Sequence, residues 1–77
     1  MTYPGLVGHP APAAIINGAP RELAGPLPVV DLLAEYGLAV GMVVVEVNGR
    51  ALLRSEAAAA VVHPGDTVEL VRAVAGG

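Results

Sequence analysis

Two periods of apolar spacing divide this chain. Between Val29 and Tyr36 the apolar residues Val29, Leu32, Leu33 and Tyr36 recur at i, i+3, i+4 and i+7, with Asp31 and Glu35 off that stripe. The spacing predicts an amphipathic helix over Pro28–Tyr36, with Pro28 in the first turn, where a missing N–H does no harm, and Gly37 just past the end. Leu27 is a poor cap before it, a defect that Asp31 partly offsets by lying near the positive end of the helix dipole. Elsewhere the period is two. Met42–Val47 places Val43, Val45 and Val47 on one face and Glu46 on the other, a half-buried or central strand. Thr67–Val74 is the last strand, with Val68 and Leu70 inward and Thr67, Glu69 and Val71 outward. Ala13–Ile16 runs into Asn17-Gly18, a pair that tolerates the positive φ of a hairpin turn. The return strand, Pro20–Ala24, belongs at an edge because proline donates no ladder hydrogen bond. Asn48-Gly49 is a second hairpin signal with Ala51–Arg54 as its short partner strand. Ser55–Ala60 reads as a helical turn begun by Ser55, and Pro64-Gly65-Asp66 as a turn.

The predicted order is β-β-α-β-β-β, an α+β domain with one main helix packed across a mixed sheet of about five strands. The last strand belongs in the middle, beside the first. The domain starts near Ala13, because residues 1–12 carry Pro4, Pro10 and Pro12 with no periodicity and read as a disordered N-terminal extension. The first twenty residues are uncharged, yet they lack a basic start and are broken by prolines, so no signal peptide fits. Gly37–Val45, the longest later uncharged stretch, falls short of the roughly 20 residues of a membrane span. A soluble, cytoplasmic protein is expected.

Composition narrows the chemistry. The 77 residues are 55% hydrophobic, yet Tyr3 and Tyr36 are the only aromatics. One small aliphatic core follows, with Tyr36 as its only sizeable ring. The absence of cysteine excludes a disulfide framework, a thiolate zinc site and a cysteine nucleophile. His9 and His63 are far apart, with no acidic cluster near either, so no metal site is predicted. Arg21, Arg50, Arg54 and Arg72 stand against seven acids, for a net charge of −3 and no lysine. That balance disfavours nucleic acid and suits a protein partner with a basic docking face. No Ser-His-Asp order, credible carboxylate pair or phosphate-binding glycine loop is present, which argues against an enzyme acting alone.

The chain ends Val71-Arg72-Ala73-Val74-Ala75-Gly76-Gly77. A Gly-Gly end enters slots too narrow for a side chain and presents a terminal carboxylate. Small residues at a terminus are also common for no functional reason.

Three runs, taken together, carry more. Val29-Val30-Asp31-Leu32-Leu33-Ala34-Glu35-Tyr36-Gly37-Leu38, then Val45-Glu46-Val47-Asn48-Gly49 with Arg54-Ser55-Glu56, then Pro64-Gly65-Asp66-Thr67 through to Gly77 resemble the ThiS family of sulfur carrier proteins. The resemblance covers about Ala14 to Gly77. It departs from the family pattern at Pro28, where a Thr-like cap is usual, and at Ala57, where a bulky residue is usual. It implies a ubiquitin-like β-grasp protein that is a carrier, not an enzyme. The Gly77 carboxylate would be adenylated by an E1-like adenylyltransferase that uses ATP, with no cofactor bound by the carrier. A sulfur donor protein would convert it to a thiocarboxylate, and thiazole synthase would take the sulfur for the thiazole ring of thiamine. Gly76 and Ala75 would thread the partner's channel, Val74 would make an apolar contact at its mouth and Arg72 would pair with an acidic partner residue. Two alternatives stay open: the small subunit of molybdopterin synthase, whose tail usually has Phe or Pro before the glycines, and a non-catalytic ubiquitin-like interaction module.

Overall fold

Backbone pairing begins where the alternation places it. The computed structural model describes residues 11–72. Strand β1 (Ala13–Ile16) turns through Asn17 and Gly18, at φ of +50° and +82°, into β2 (Ala19–Glu22). Two consecutive left-handed residues give the turn whose twist matches the strands it joins. Pro20 lies opposite Ile15 on the edge strand, where its missing N–H breaks no ladder. The Pro12 carbonyl accepts the Leu23 N–H at 2.8 Å, so the ladder reaches one residue before Ala13. Residues 1–10 of the expected extension lie outside the described residues.

Strand β3 (Leu27–Pro28) leads into α1 (Val29–Glu35), which buries Val29, Leu32 and Leu33 completely. Pro28 is not in the first turn as expected. It is the residue before the helix, and it pairs with Val61 in a two-stranded ladder between β3 and β6 (Val61–Val62). Alternation cannot reveal strands of two residues. The placement of Tyr36 in the core is also corrected: its residue is 50% exposed. The helix ends at Glu35, and Tyr36 turns off the stripe at φ −95° and ψ 3°. Gly37, at φ +71°, then donates to Ala34 at 3.0 Å, and Leu38 donates to Leu33 at 2.9 Å. Those two bonds form a Schellman closure, which brings Leu38 back onto the core in place of the ring.

A 3-10 turn at Val40–Met42 takes Met42 out of the following strand, β4 (Val43–Val47). Asn48 and Gly49, at φ of +52° and +84°, turn the chain into β5, which is Arg50–Ala51, shorter than the expected Ala51–Arg54. It stops early because α2 (Arg54–Ala59) already begins at Arg54. Ser55 does not start that helix. The Glu56 carboxylate accepts the Leu53 N–H at 2.8 Å, and this bond draws the Glu56 pKa below its usual range. Ala57 faces inward and is buried.

Strand β7 (Thr67–Arg72) completes a five-stranded sheet of order β2-β1-β7-β4-β5, parallel to β1 and antiparallel to β4. The α1 stripe packs with Ala14, Ile16, Val45 and Val68 from the sheet's inner face. This is the ubiquitin-like β-grasp arrangement. Among the described residues no helix is long and apolar enough to cross a membrane.

The turn before β7 is fixed by Asp66. Its carboxylate accepts Asn48 Nδ2 at 3.0 Å and the His63 N–H at 2.8 Å. Both bonds favour the ionised form, the Asn48 bond more strongly, and hold the Asp66 pKa below the ordinary aspartate value. A pKa depressed in the folded state gives stability that is complete above the unfolded-state value and is lost as pH falls through the folded value.

Two outcomes follow from this packing. Leu33→Ala, which empties a fully enclosed site, should cost about 2–5 kcal/mol in denaturant unfolding; an unchanged midpoint would place Leu33 outside the core. Asp66→Asn should lower stability at neutral pH and flatten its decline below about pH 4, read from chemical melts at stepped pH. A variant as acid-sensitive as the parent would show that Asp66 does not carry that dependence.

Candidate functional site

The group with candidate chemistry is the Gly77 carboxylate. Gly77, Gly76, Ala75 and Val74 lie outside the described residues; what the structure gives is the anchor from which they continue. That anchor is β7, the central strand, whose last residue Arg72 lies opposite Val43 of β4.

Both hairpin asparagines grip β7. At its start the Asn48 N–H donates to the Thr67 carbonyl at 2.7 Å, and Asn48 Oδ1 accepts the Thr67 N–H at 2.9 Å. Two residues from its end, Asn17 Oδ1 accepts the Leu70 N–H at 2.7 Å, while the Asn17 N–H donates to the Val68 carbonyl at 2.9 Å. The sequence identifies these residues only as turn formers. One signal was available: asparagine, rather than glycine, is the first residue of both turns, and asparagine, unlike glycine, brings a side-chain acceptor to a left-handed position.

The sheet divides its charges between its faces. Residues directly opposite one another share a face, so the register puts Ile15, Val44 and Val71 on the side away from α1, 37%, 41% and 48% exposed. Glu46 and Glu69 are direct cross-strand neighbours on that side, and Glu22 is near its edge. The three arginines of the sheet are on the helix side: Arg21 opposite Ala14, Arg50 opposite Val47 and Arg72 opposite Val43. Arg21 pairs with Glu35 at 2.6 and 3.0 Å, and that bond raises the already high Arg21 pKa. Arg72 lines a recess of about 230 Å³ with Asn17, Tyr36, Leu38, Val43 and Leu70. The outer face is therefore an apolar stripe over three strands with three carboxylates, and none of the sheet's own arginines is on it.

Among the described residues, no group of three His, Asp or Glu side chains is placed to hold a metal ion. A recess of about 460 Å³ at the far end of β4 is lined by Val47, Asn48, Arg50, Leu52, Ala60 and Val61, with Arg50 its one titratable group. His63 is an exposed turn residue whose Nδ1 is 3.9 Å from Asp66.

No curated protein matches the chain. It is similar to the crystal structure of the thiamine biosynthesis protein ThiS from Geobacter metallireducens, at 35% identity and a TM-score of 0.69, over 84% of this chain and 99% of that one. It is likewise similar to the solution structure of a thiamine biosynthesis protein from Geobacter metallireducens, at 35% identity and a TM-score of 0.64, over 84% of this chain and 87% of that one. The ThiS family model matches residues 14–77, from the second residue of β1 through the glycine pair. With that span, the β-grasp sheet and a central β7 leading into the Gly-Gly arm, the chain belongs to the ThiS family of sulfur carrier proteins.

Proposed function

We propose that Gly77 is the working end of a thiamine-pathway sulfur carrier. Its carboxylate attacks the α-phosphate of ATP on an E1-like adenylating enzyme, pyrophosphate leaves, and an acyl adenylate forms. A carboxylate is a poor acyl donor until its oxygen becomes part of a good leaving group, and AMP is one. Sulfide-level sulfur supplied by a donor protein then attacks the acyl carbon, the bond to AMP breaks and AMP leaves, and the resulting Gly77 thiocarboxylate passes to thiazole synthase. ATP belongs to the partner, and the carrier contributes no cofactor. These steps use cytoplasmic enzymes and a soluble carrier.

The observation that carries this reading is the position of β7. It is central and bonded on both edges, and the arm leaves from its end, so Ala73–Gly77 starts from a fixed point and reaches at most about 17 Å beyond it. Gly76 and Ala75 thread the partner's channel and Val74 meets its mouth. Arg72 faces an acidic partner residue there. The Ile15–Val71–Val44 stripe gives the partner an apolar seat, with Glu22, Glu46 and Glu69 matched by basic side chains.

The arm also bears on which acceptor is served. Val71–Ala75 has no aromatic residue, so an acceptor pocket shaped for Phe before the glycines would lose roughly 1–3 kcal/mol of ring contact. This disfavours molybdopterin synthase.

Removing Gly77 should leave the melting temperature within about 1 °C of the parent, because every residue of the described core is kept, and abolish ATP-dependent pyrophosphate release with the adenylating enzyme. Retained adenylation would sink the assignment of Gly77. Offered in parallel to both acceptors, the thiocarboxylate should support thiazole formation and give little or no dithiolene. Faster turnover with molybdopterin synthase would move the protein to the other pathway while leaving it a sulfur carrier.

A further inference from the structure

We infer that Asn17 is a positioning residue that fixes where the rigid strand ends and the reactive arm begins; the inference rests on the carrier reading above. In the parallel ladder, β1 meets β7 at Ile15↔Thr67 and Ile16↔Val68. The alternate bonds run from the Ile15 N–H to Asp66 and from the Asn17 N–H to Val68, each 2.9 Å. The next rung calls for a carbonyl facing the Leu70 N–H. Asn17 cannot supply its backbone carbonyl there, because at φ +50° the chain has already turned into the hairpin. Its side chain supplies Oδ1 instead, at 2.7 Å. One residue thus ends β1 and still adds a rung to β7.

That rung is the last described bond on the β1 side. Because Leu70 faces Asn17, the amides of Glu69 and Val71 face β4, so Asn17 alone holds this edge of β7 at Leu70. Without it the end of the strand is held along one edge, and the angle at which Arg72 and the arm leave the sheet is free to vary. A partner that takes the arm into a channel must then order that segment on binding. The chemical step, which follows docking, is untouched. The effect belongs in KM for the carrier and not in kcat.

Two variants separate this role from turn formation. Asn17→Gly keeps a residue at ease with positive φ and removes the acceptor; Asn17→Asp keeps an acceptor in the same place. With the full chain, amide exchange at Leu70 in Asn17→Gly should rise about tenfold or more against Glu69 and Val71. KM in the adenylation assay should rise about three- to tenfold, the worth of one net hydrogen bond, with kcat unchanged. Asn17→Asp should stay near the parent in both. Overturning results are an unchanged KM in Asn17→Gly, an equal loss in both variants, or a fall confined to kcat. If Asn17→Gly does not fold, Asn17→Ser, with a shorter acceptor, must show the same Leu70-selected exchange and KM rise, and its absence overturns the proposal. A parent protein that is never adenylated removes the carrier reading and this inference with it, whereas an adenylated parent with an indifferent Asn17→Gly removes this inference alone.

Discussion

The backbone ladder of β7 is the constraint on which the rest depends. The strand is hydrogen-bonded to β1 on one edge and β4 on the other, and β1 runs parallel to it. Parallel neighbours cannot be joined by a tight turn; the chain between them must cross from one end of the sheet to the other. Here nearly the whole domain is that crossing. The segment carries α1 over one face and returns through β4, so one connection both closes the sheet and covers its core. Sheet, helix and arm therefore share a reference line, and a slip of one residue in the β4–β7 register would turn Val68 outward and Glu69 into the aliphatic core.

The core that this ladder organises is small and, among the described residues, wholly aliphatic. Its economy explains the treatment of Tyr36. A ring at the end of the stripe would have to fit under the sheet beside Leu33, where the Schellman closure instead seats Leu38. The ring is left half-exposed at the recess beside Arg72, next to the base of the arm. The Arg21–Glu35 pair ties the edge strand to the last turn of α1, but both partners are solvent-accessible, so it orients more than it stabilises.

The elements with a full period were legible from sequence: α1 from four positions at helical spacing, β4 and β7 from alternation, both hairpins from Asn-Gly. The central position of β7 and its place beside β1 were legible too. The remaining features are either too short or not local. Strands β3 and β6 have two residues each, below the length at which alternation has meaning. Leu53 and Glu56 share the capping of α2 through a backbone N–H, so no conventional cap residue marks its start, and Ser55 lies inside the helix. The Asn17–Leu70 bond joins residues 53 apart. A turn motif reveals the conformation of an asparagine but not where its side chain points. The Gly-Gly end is a feature of the sequence alone, whereas the division of charge between the two faces needed the register.

That division also bears on which associations the outer face permits. Glu46 and Glu69 stand directly opposite each other, an arrangement that costs stability in the free protein. The sheet's own arginines, Arg21, Arg50 and Arg72, are one sheet thickness away, on the helix side. An apolar stripe exposed over β1, β7 and β4 is by itself a surface through which two copies could associate. Three carboxylates around it oppose that outcome, because a second copy brings the same charges to the same place. A partner with basic residues around an apolar patch meets no such opposition, and its approach is accelerated by the field at low salt. The repulsion carried by the free protein thus disfavours a second copy on the stripe, while the β7 backbone beneath it is bonded on both edges.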